Sequence, residues 1–293
     1  GIRAEQVWNK GNTDQSSYGF SNGYFHLFPS ASLMYFTAKR NTVKLAYSKR
    51  INRPTIGQYS PFIDITDSLN VWSGNPDIQP ELSHAAELTY NHEFKNGSIT
   101  PSLFYRQTNN SIFPYTVVDG SGVSITQPQN FGNSSTYGAE VIFTITPVKF
   151  WTANLNVSVY IQNIEQTDEL PDIQHTQLNG YTKFINNFNV WKNGKLQITS
   201  NYTSPILIPQ GRLDEVYFID LGIQQKIMKG QGRLALAITD IFNTQQSVSR
   251  ISDYNFEYYQ YRKVDTRAVM LIFAYTFKSE FKEKLLENKF KNE

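Results

Sequence analysis

Apolar and polar residues alternate along almost the whole chain. In Arg267–Phe277, Val269, Leu271, Phe273, Tyr275 and Phe277 fall on one side, and the smaller Ala268, Met270, Ile272, Ala274 and Thr276 fall on the other. A period of two is the strand period. The sharpest case sets Trp151, Ala153, Leu155, Val157, Val159 and Ile161 against Thr152, Asn154, Asn156, Ser158 and Gln162. Comparable runs lie near 2–8, 27–38, 43–50, 86–94, 99–106, 137–145, 184–190, 196–202, 217–223 and 234–238, the first of them short and weak. Together they predict about twelve strands and no core helix.

The connections decide the architecture. Tight turns at Lys39-Arg40-Asn41, Lys95-Asn96-Gly97, Pro147-Val148-Lys149, Lys192-Asn193-Gly194 and Lys229-Gly230-Gln231-Gly232 alternate with long connecting stretches. Those stretches are Asn12–Asn22, Ile51–Leu82, Thr108–Ser134, Asn163–Gln174, Ser204–Arg212 and Gln245–Asp265. The second holds Pro54, Pro61, Pro76 and Pro80 and is expected to contain no regular strand. An antiparallel meander with short turns at one end and long loops at the other is the pattern of an outer-membrane barrel. A soluble sandwich uses Greek-key crossings and has no reason for this asymmetry. The fold class read here is all-β, an antiparallel transmembrane β-barrel over residues 1–277, with a charged periplasmic tail, helical or disordered, over 278–293.

Charge placement agrees. The apolar stripes carry no Asp, Glu, Lys or Arg in their middles, where a charge would cost about 2–4 kcal/mol at the bilayer midplane. The opposite stripes hold Lys44, Arg50, Glu87, Arg106 and Glu140. Tyr35, Phe94, Trp151, Trp191 and Tyr275 sit beside the tight turns, and Tyr47, Tyr105, Tyr137 and Tyr202 toward the loops. Two aromatic rows at opposite strand ends are the girdles expected at the two membrane interfaces.

Composition narrows the function classes. The 293 residues carry a net charge of +2, which gives no sign of a nucleic-acid partner. No apolar run reaches the roughly 18 residues of a membrane-spanning helix. There is no cysteine, so disulfides and thiolate metal sites are excluded. The N-terminus GIRAEQ shows no secretory signal peptide, so an exported chain is expected to be mature, trimmed or part of something longer. His26, His84, His92 and His175 are scattered; Asp64, Asp67 and Asp77 lack the spacing of an EF-hand. No nucleophile or acid–base cluster stands out, so no catalytic residues, metal or cofactor are expected.

Candidate site residues fall into two groups. Arg50, Arg53, Glu87, Arg106 and Glu140 project inward by parity or sit at the lumen edge, where they line a path or form an interstrand salt-bridge ladder. Tyr59, Phe62, Trp72, Tyr254, Tyr258 and Tyr259 lie in long loops and are the candidates for substrate contact, with ordinary loop packing as the competing role.

Several segments together resemble the outer-membrane β-barrel family of Bacteroidota related to TonB-dependent receptors. They are Arg50-Ile51-Asn52-Arg53-Pro54, Asn70, Gly74-Asn75-Pro76-Asp77, Pro80-Glu81, Glu87-Leu88, Tyr137-Gly138-Ala139-Glu140 and Asp240-Ile241-Phe242-Asn243-Thr244, in that order and spacing. The resemblance implies a barrel larger than these strands, about 22, of which this chain is the C-terminal portion. It also implies an N-terminal plug against the inward charges, TonB acting through the missing N-terminal region, outer-membrane lipids around the barrel and a surface lipoprotein partner. The function implied is TonB-dependent uptake of a nutrient across the outer membrane. The alternative is a non-transporting barrel that serves as a scaffold or an assembly or secretion component. Such barrels commonly end on an aromatic residue, whereas Phe277 is followed by the charged tail.

Overall fold

A computed structural model describes residues 1–11, 20–165, 176–253 and 256–277. Its elements are β1 (Ile2–Gly11), β2 (Phe20–Ala38), β3 (Asn41–Asn52), α1 (Ile56–Tyr59), β4 (Ile63–Asp64), β5 (Asn70–Ser73), β6 (Glu81–Phe94), β7 (Gly97–Val118), β8 (Ser124–Val148), β9 (Trp151–Ile164) and β10 (Thr176–Trp191). There follow β11 (Gly194–Thr203), β12 (Ile206–Ile208), β13 (Gly211–Leu213), β14 (Val216–Ile227), β15 (Gly232–Ile238), β16 (Ser247–Asp253), β17 (Phe256–Arg262) and β18 (Val269–Tyr275).

Twelve of these strands form one antiparallel path, β1-β2-β3-β6-β7-β8-β9-β10-β11-β14-β15-β18. It is the meander that the alternation predicts, and β1 and β18 are its two edges. Register then fixes which side chains share a face. Leu45 lies between Leu33 and Leu88, and Leu88 lies opposite Leu103. These four leucines make one continuous row, and each is at least 45 % exposed. A row of this kind facing water would forgo about 25 cal/mol per Å² of apolar surface; against hydrocarbon the penalty vanishes. Leu155, Val157 and Val159 continue the same face on β9.

Toward the strand ends, polar atoms on this outer face pair with one another, while Thr182 and Ser200 lie on it further in. The Tyr47 hydroxyl meets His84 Nδ1 at 2.8 Å toward the loops. Near the tight turns, His92 Nδ1 meets Asn41 Oδ1 at 2.6 Å, and Trp151 Nε1 donates to Asn186 Oδ1 at 3.0 Å. Pairing removes the cost of leaving these groups unsatisfied near lipid.

The loop end is more structured than the sequence suggests. Residues 108–134 are not a loop: β7 and β8 continue as a paired hairpin out to Val118 and Ser124. Their sequence lacks apolar alternation because neither face of this extension meets hydrocarbon. The Ile51–Leu82 connection also departs from expectation, since it holds α1, β4 and β5, and β5 adds in parallel to β8. The stretches 204–212 and 245–265 contribute β12, β13, β16 and β17, which form a second, four-stranded sheet. Burial concentrates here. Ile78, Tyr59, Phe131, Leu207, Ile208 and Val248 are buried, whereas on the rest of the main sheet only a few side chains, such as Phe28, Ala153 and Ile164, are.

Candidate functional site

The inner face of the main sheet is built by the odd residues of β6, the even residues of β7, β8 and β9, and their register partners. One row across it reads Ala46, Glu87, Phe104, Gly138, Tyr160 and Asn179. The next row toward the loops runs Ala85, Arg106, Thr136, Gln162. On the turn side, Thr89, Ser102, Glu140 and Ser158 form the matching row. Glu87, Arg106 and Glu140 therefore face the same side, as their parity predicts, and Arg50, opposite Ser83, joins them.

Gly138 shapes the middle of this wall. A Cβ there would lie 2.2 Å from the Val159 carbonyl oxygen and 2.6 Å from Tyr160 Cβ. Without it, the rings of Phe104 and Tyr160 approach over the glycine to 6.4 Å between centroids. They line a recess of about 480 Å³ together with Glu87, Arg106, Glu140 and Ile206, the last coming from β12 above. A broader recess of about 1040 Å³ adjoins it along Lys44, Arg50, Glu87 and Arg106. Among the described residues, none of Arg50, Glu87, Arg106 and Glu140 forms an ion pair within 4.0 Å, so the salt-bridge ladder is not built. Glu87 instead accepts a hydrogen bond from the Thr89 hydroxyl at 2.7 Å. Arg53 stands apart. It pairs with Glu5 and donates to the Tyr24 hydroxyl at 3.2 Å, which ties the exit of β3 to β1 and β2.

The loop candidates are dispersed. Tyr59 is buried in loop packing, and Phe62 is 70 % exposed. Trp72 lies on β5, opposite Asp64 and Thr126. Tyr258 is half-buried; burial first, and then the Asp67 carboxylate, push its hydroxyl above its ordinary value. Tyr259 is exposed, with the Arg250 guanidinium 5.1 Å from its ring centroid. Tyr254 lies outside the described residues. Asp64 and Asp67 hold their own turns, accepting from the Thr66 and Leu69 amides at 2.9 and 3.0 Å.

Side chains that bind the loops to the barrel carry more of the geometry than these candidates. Asn75 donates to the Pro128 carbonyl at 3.1 Å, and Asn130 and Gln79 exchange two hydrogen bonds at 2.7 and 2.9 Å. Glu81 accepts from Asn52 and from the Ile112 amide, both at 2.6 Å. Asp240 is wholly buried. Burial alone would raise its carboxyl. The Thr266 hydroxyl, the Thr244 and Gln245 amides and the nearby Lys263 ammonium outweigh that and hold it below its ordinary value. The sequence marked Asn75, Glu81 and Asp240 only as parts of recurring segments. Phe104, Tyr160 and Gln210 carried no local signal.

The sequence pattern of the outer membrane protein β-barrel family matches residues 1–275. The chain belongs to this family. It is an outer-membrane protein, and the leucine row of β2, β3, β6 and β7 is its lipid-facing surface. No curated protein sequence matches it. Among solved structures, it is similar to the siderophore receptor PirA from Pseudomonas aeruginosa, at 14 % identity and a TM-score of 0.56, over 83 % of this chain and 45 % of that one. It is also similar to the ferric yersiniabactin uptake receptor FyuA from Yersinia pestis, at 12 % identity and a TM-score of 0.58, over 93 % and 41 %. A third likeness is to the copper transporter OprC, at 10 % identity and a TM-score of 0.60, over 90 % and 42 %. The family chain thus spans less than half the length of these structures, and at such identities the likeness concerns the fold.

Proposed function

We propose that this chain is the barrel portion of a TonB-dependent receptor-like transporter that takes up a nutrient across the outer membrane. The observation that supports it best is the inner wall: a polar, charged surface roofed by ordered loops, on a sheet whose outer face is lipid-facing. A barrel that only scaffolds partners has no need of unpaired Arg50, Glu87, Arg106 and Glu140 along its interior. The similar structures include receptors for siderophores and a copper transporter, which fits uptake of a scarce nutrient.

In this reading β1 and β18 pair with further strands of one barrel, because unpaired strand edges are not tolerated in lipid. A plug domain lies inside the barrel, Arg50, Glu87 and Arg106 line the path beside it, and TonB drives uptake through a region outside residues 1–293. The tail 278–293 lies in the periplasm, and a surface lipoprotein meets the loop sheet. The test is genetic. In the source organism, deletion of the parent gene and deletion of tonB are compared across a panel of single iron and carbon sources. Loss of growth on the same source in both strains is the expected result. A parent-gene deletion that impairs protein secretion and no nutrient use would contradict transport and favour the scaffold.

A further inference from the structure

The recess around Gly138 has a specific chemistry. Phe104 and Tyr160 supply an aromatic platform, with Glu87 beside Phe104 on the same row. Arg106 stands one row toward the loops and Glu140 one row toward the turns. The two flanking rows are therefore four residues apart along β8, about 13 Å at roughly 3.3 Å per residue. Among the described residues, ion pairs form at Arg53–Glu5, Arg250–Asp214 and Lys263–Asp240. Here a cation and two carboxylates stay unpaired around one recess, and β12 closes it from above through Ile206. That roof is held down: Gln162 donates to the Leu207 carbonyl at 3.4 Å, and Gln177 to the Pro205 carbonyl at 2.5 Å. The recess thus lies where the loop cap meets the lumen wall.

From this arrangement we infer that the recess binds a short zwitterionic peptide, with its carboxylate on Arg106 and its ammonium held by Glu87, Glu140 and the aromatic platform. A guanidinium recognises a carboxylate through paired N–H donors. An ammonium is stabilised by carboxylates and by a ring face. An extended tripeptide spans about 10 Å, which bridges the two flanking rows once side-chain reach is included. The Ser102, Thr136 and Ser158 side chains within those rows offer hydrogen-bonding groups for the peptide backbone. Because the recess is on the inner wall, this inference rests on the transport reading and names the class of solute for it.

The test is calorimetric titration of the full protein in nanodiscs with tri-alanine, N-acetyl-tri-alanine, tri-alanine amide and maltotriose. Tri-alanine is expected to bind, and blocking either terminus is expected to weaken it at least tenfold. Arg106→Gln is expected to erase the preference for the free acid over the amide. A heat-modifiable band on gels verifies folding of that variant, and the blocked peptides test the native protein without any variant. Absence of tri-alanine binding overturns the inference. So does binding indifferent to the blocking groups, tighter binding of maltotriose, or an Arg106→Gln variant that weakens all probes equally, which would assign Arg106 to packing against a plug. TonB-dependent growth is scored separately. Growth that needs TonB, without peptide binding, removes the inference and leaves transport standing; peptide binding without TonB-dependent growth does the reverse.

Discussion

Gln210 gives Thr116 the hydrogen bonds that a neighbouring strand would otherwise supply. Its side-chain oxygen accepts from the Thr116 amide at 2.7 Å, and its side-chain nitrogen donates to the Thr116 carbonyl at 2.8 Å. The two residues are 94 positions apart, and both are buried. The contact blocks a free strand edge. Along β7 the amides of Ile112 and Thr116 point away from β8, and Glu81 and Gln210 receive them. Between them stands Pro114, which has no N–H to offer. An exposed edge of this length invites pairing with other chains, and side chains and proline close it here.

Replacement Gln210→Ala should therefore leave a buried amide and a buried carbonyl unpartnered, at about 1–3 kcal/mol each. The loss should be local. Hydrogen exchange at Ile112 and Thr116 is expected to accelerate, while the heat-modifiable mobility of the barrel stays unchanged. Unaltered exchange at Thr116 would show that the clamp does not form.

Gly138→Ala should disturb the inner wall, because the new methyl group would collide with the Val159 carbonyl and with Tyr160. Overpacking of this kind costs about 1–3 kcal/mol. Urea unfolding of the refolded protein in lipid should show the loss, and Phe104 and Tyr160 should separate, with a change in near-UV circular dichroism. A variant as stable as the native protein would contradict the close approach.

Acid should loosen the loop end through Asp240. Its folded carboxyl titrates below its ordinary value of 3.8. Its contribution is therefore present above that value and is lost as pH falls below it. Replacement Asp240→Asn removes the charge and should cost about 1.5–3 kcal/mol, the worth of hydrogen bonds to a charged group. Limited proteolysis of the 239–268 segment at pH 7 should be faster in the variant, and the difference should narrow as pH falls below 3.8. Equal rates at pH 7 would show that the carboxylate does not hold the segment.

The main sheet was legible in the sequence because hydrocarbon on one side and a polar interior on the other enforce strict alternation. Trp151 to Ile161 could belong to little else. The tight turns were legible for the same reason, since they interrupt the alternation with Asn, Gly and Lys. Legibility ended at the membrane boundary. Beyond Thr108 the hairpin packs against the loops, with Phe131 buried against Phe113 and Tyr115, so its apolar positions no longer follow one lipid-facing stripe. The inward parity of Arg50, Glu87, Arg106 and Glu140 could be read. Their freedom from ion pairs could not, and neither could the Phe104–Tyr160 contact, which depends on a glycine one strand away from each. Gln210 follows the apolar run Ile206-Leu207-Ile208-Pro209, and its role exists only in three dimensions.

Faces can be exchanged by single substitutions. Leu103 is 60 % exposed on the lipid-facing row, and its neighbour Ser102 faces inward. Leu103→Arg should cost about 2–4 kcal/mol and lower the folded fraction in lipid, whereas Ser102→Arg should leave that fraction nearly unchanged. Equal losses would argue against a lipid-facing row.

Site-directed spin labelling along β9 tests the two-sided sheet most directly, and a chain without cysteine admits labels one position at a time. With the full protein in lipid, labels at Leu155, Val157 and Val159 should be accessible to oxygen and shielded from a polar nickel complex. Labels at Asn154, Asn156 and Ser158 should show reduced oxygen access by comparison. A period of two in the accessibility ratio is the predicted result; a ratio that is flat, or low in oxygen at Leu155, Val157 and Val159, would contradict it.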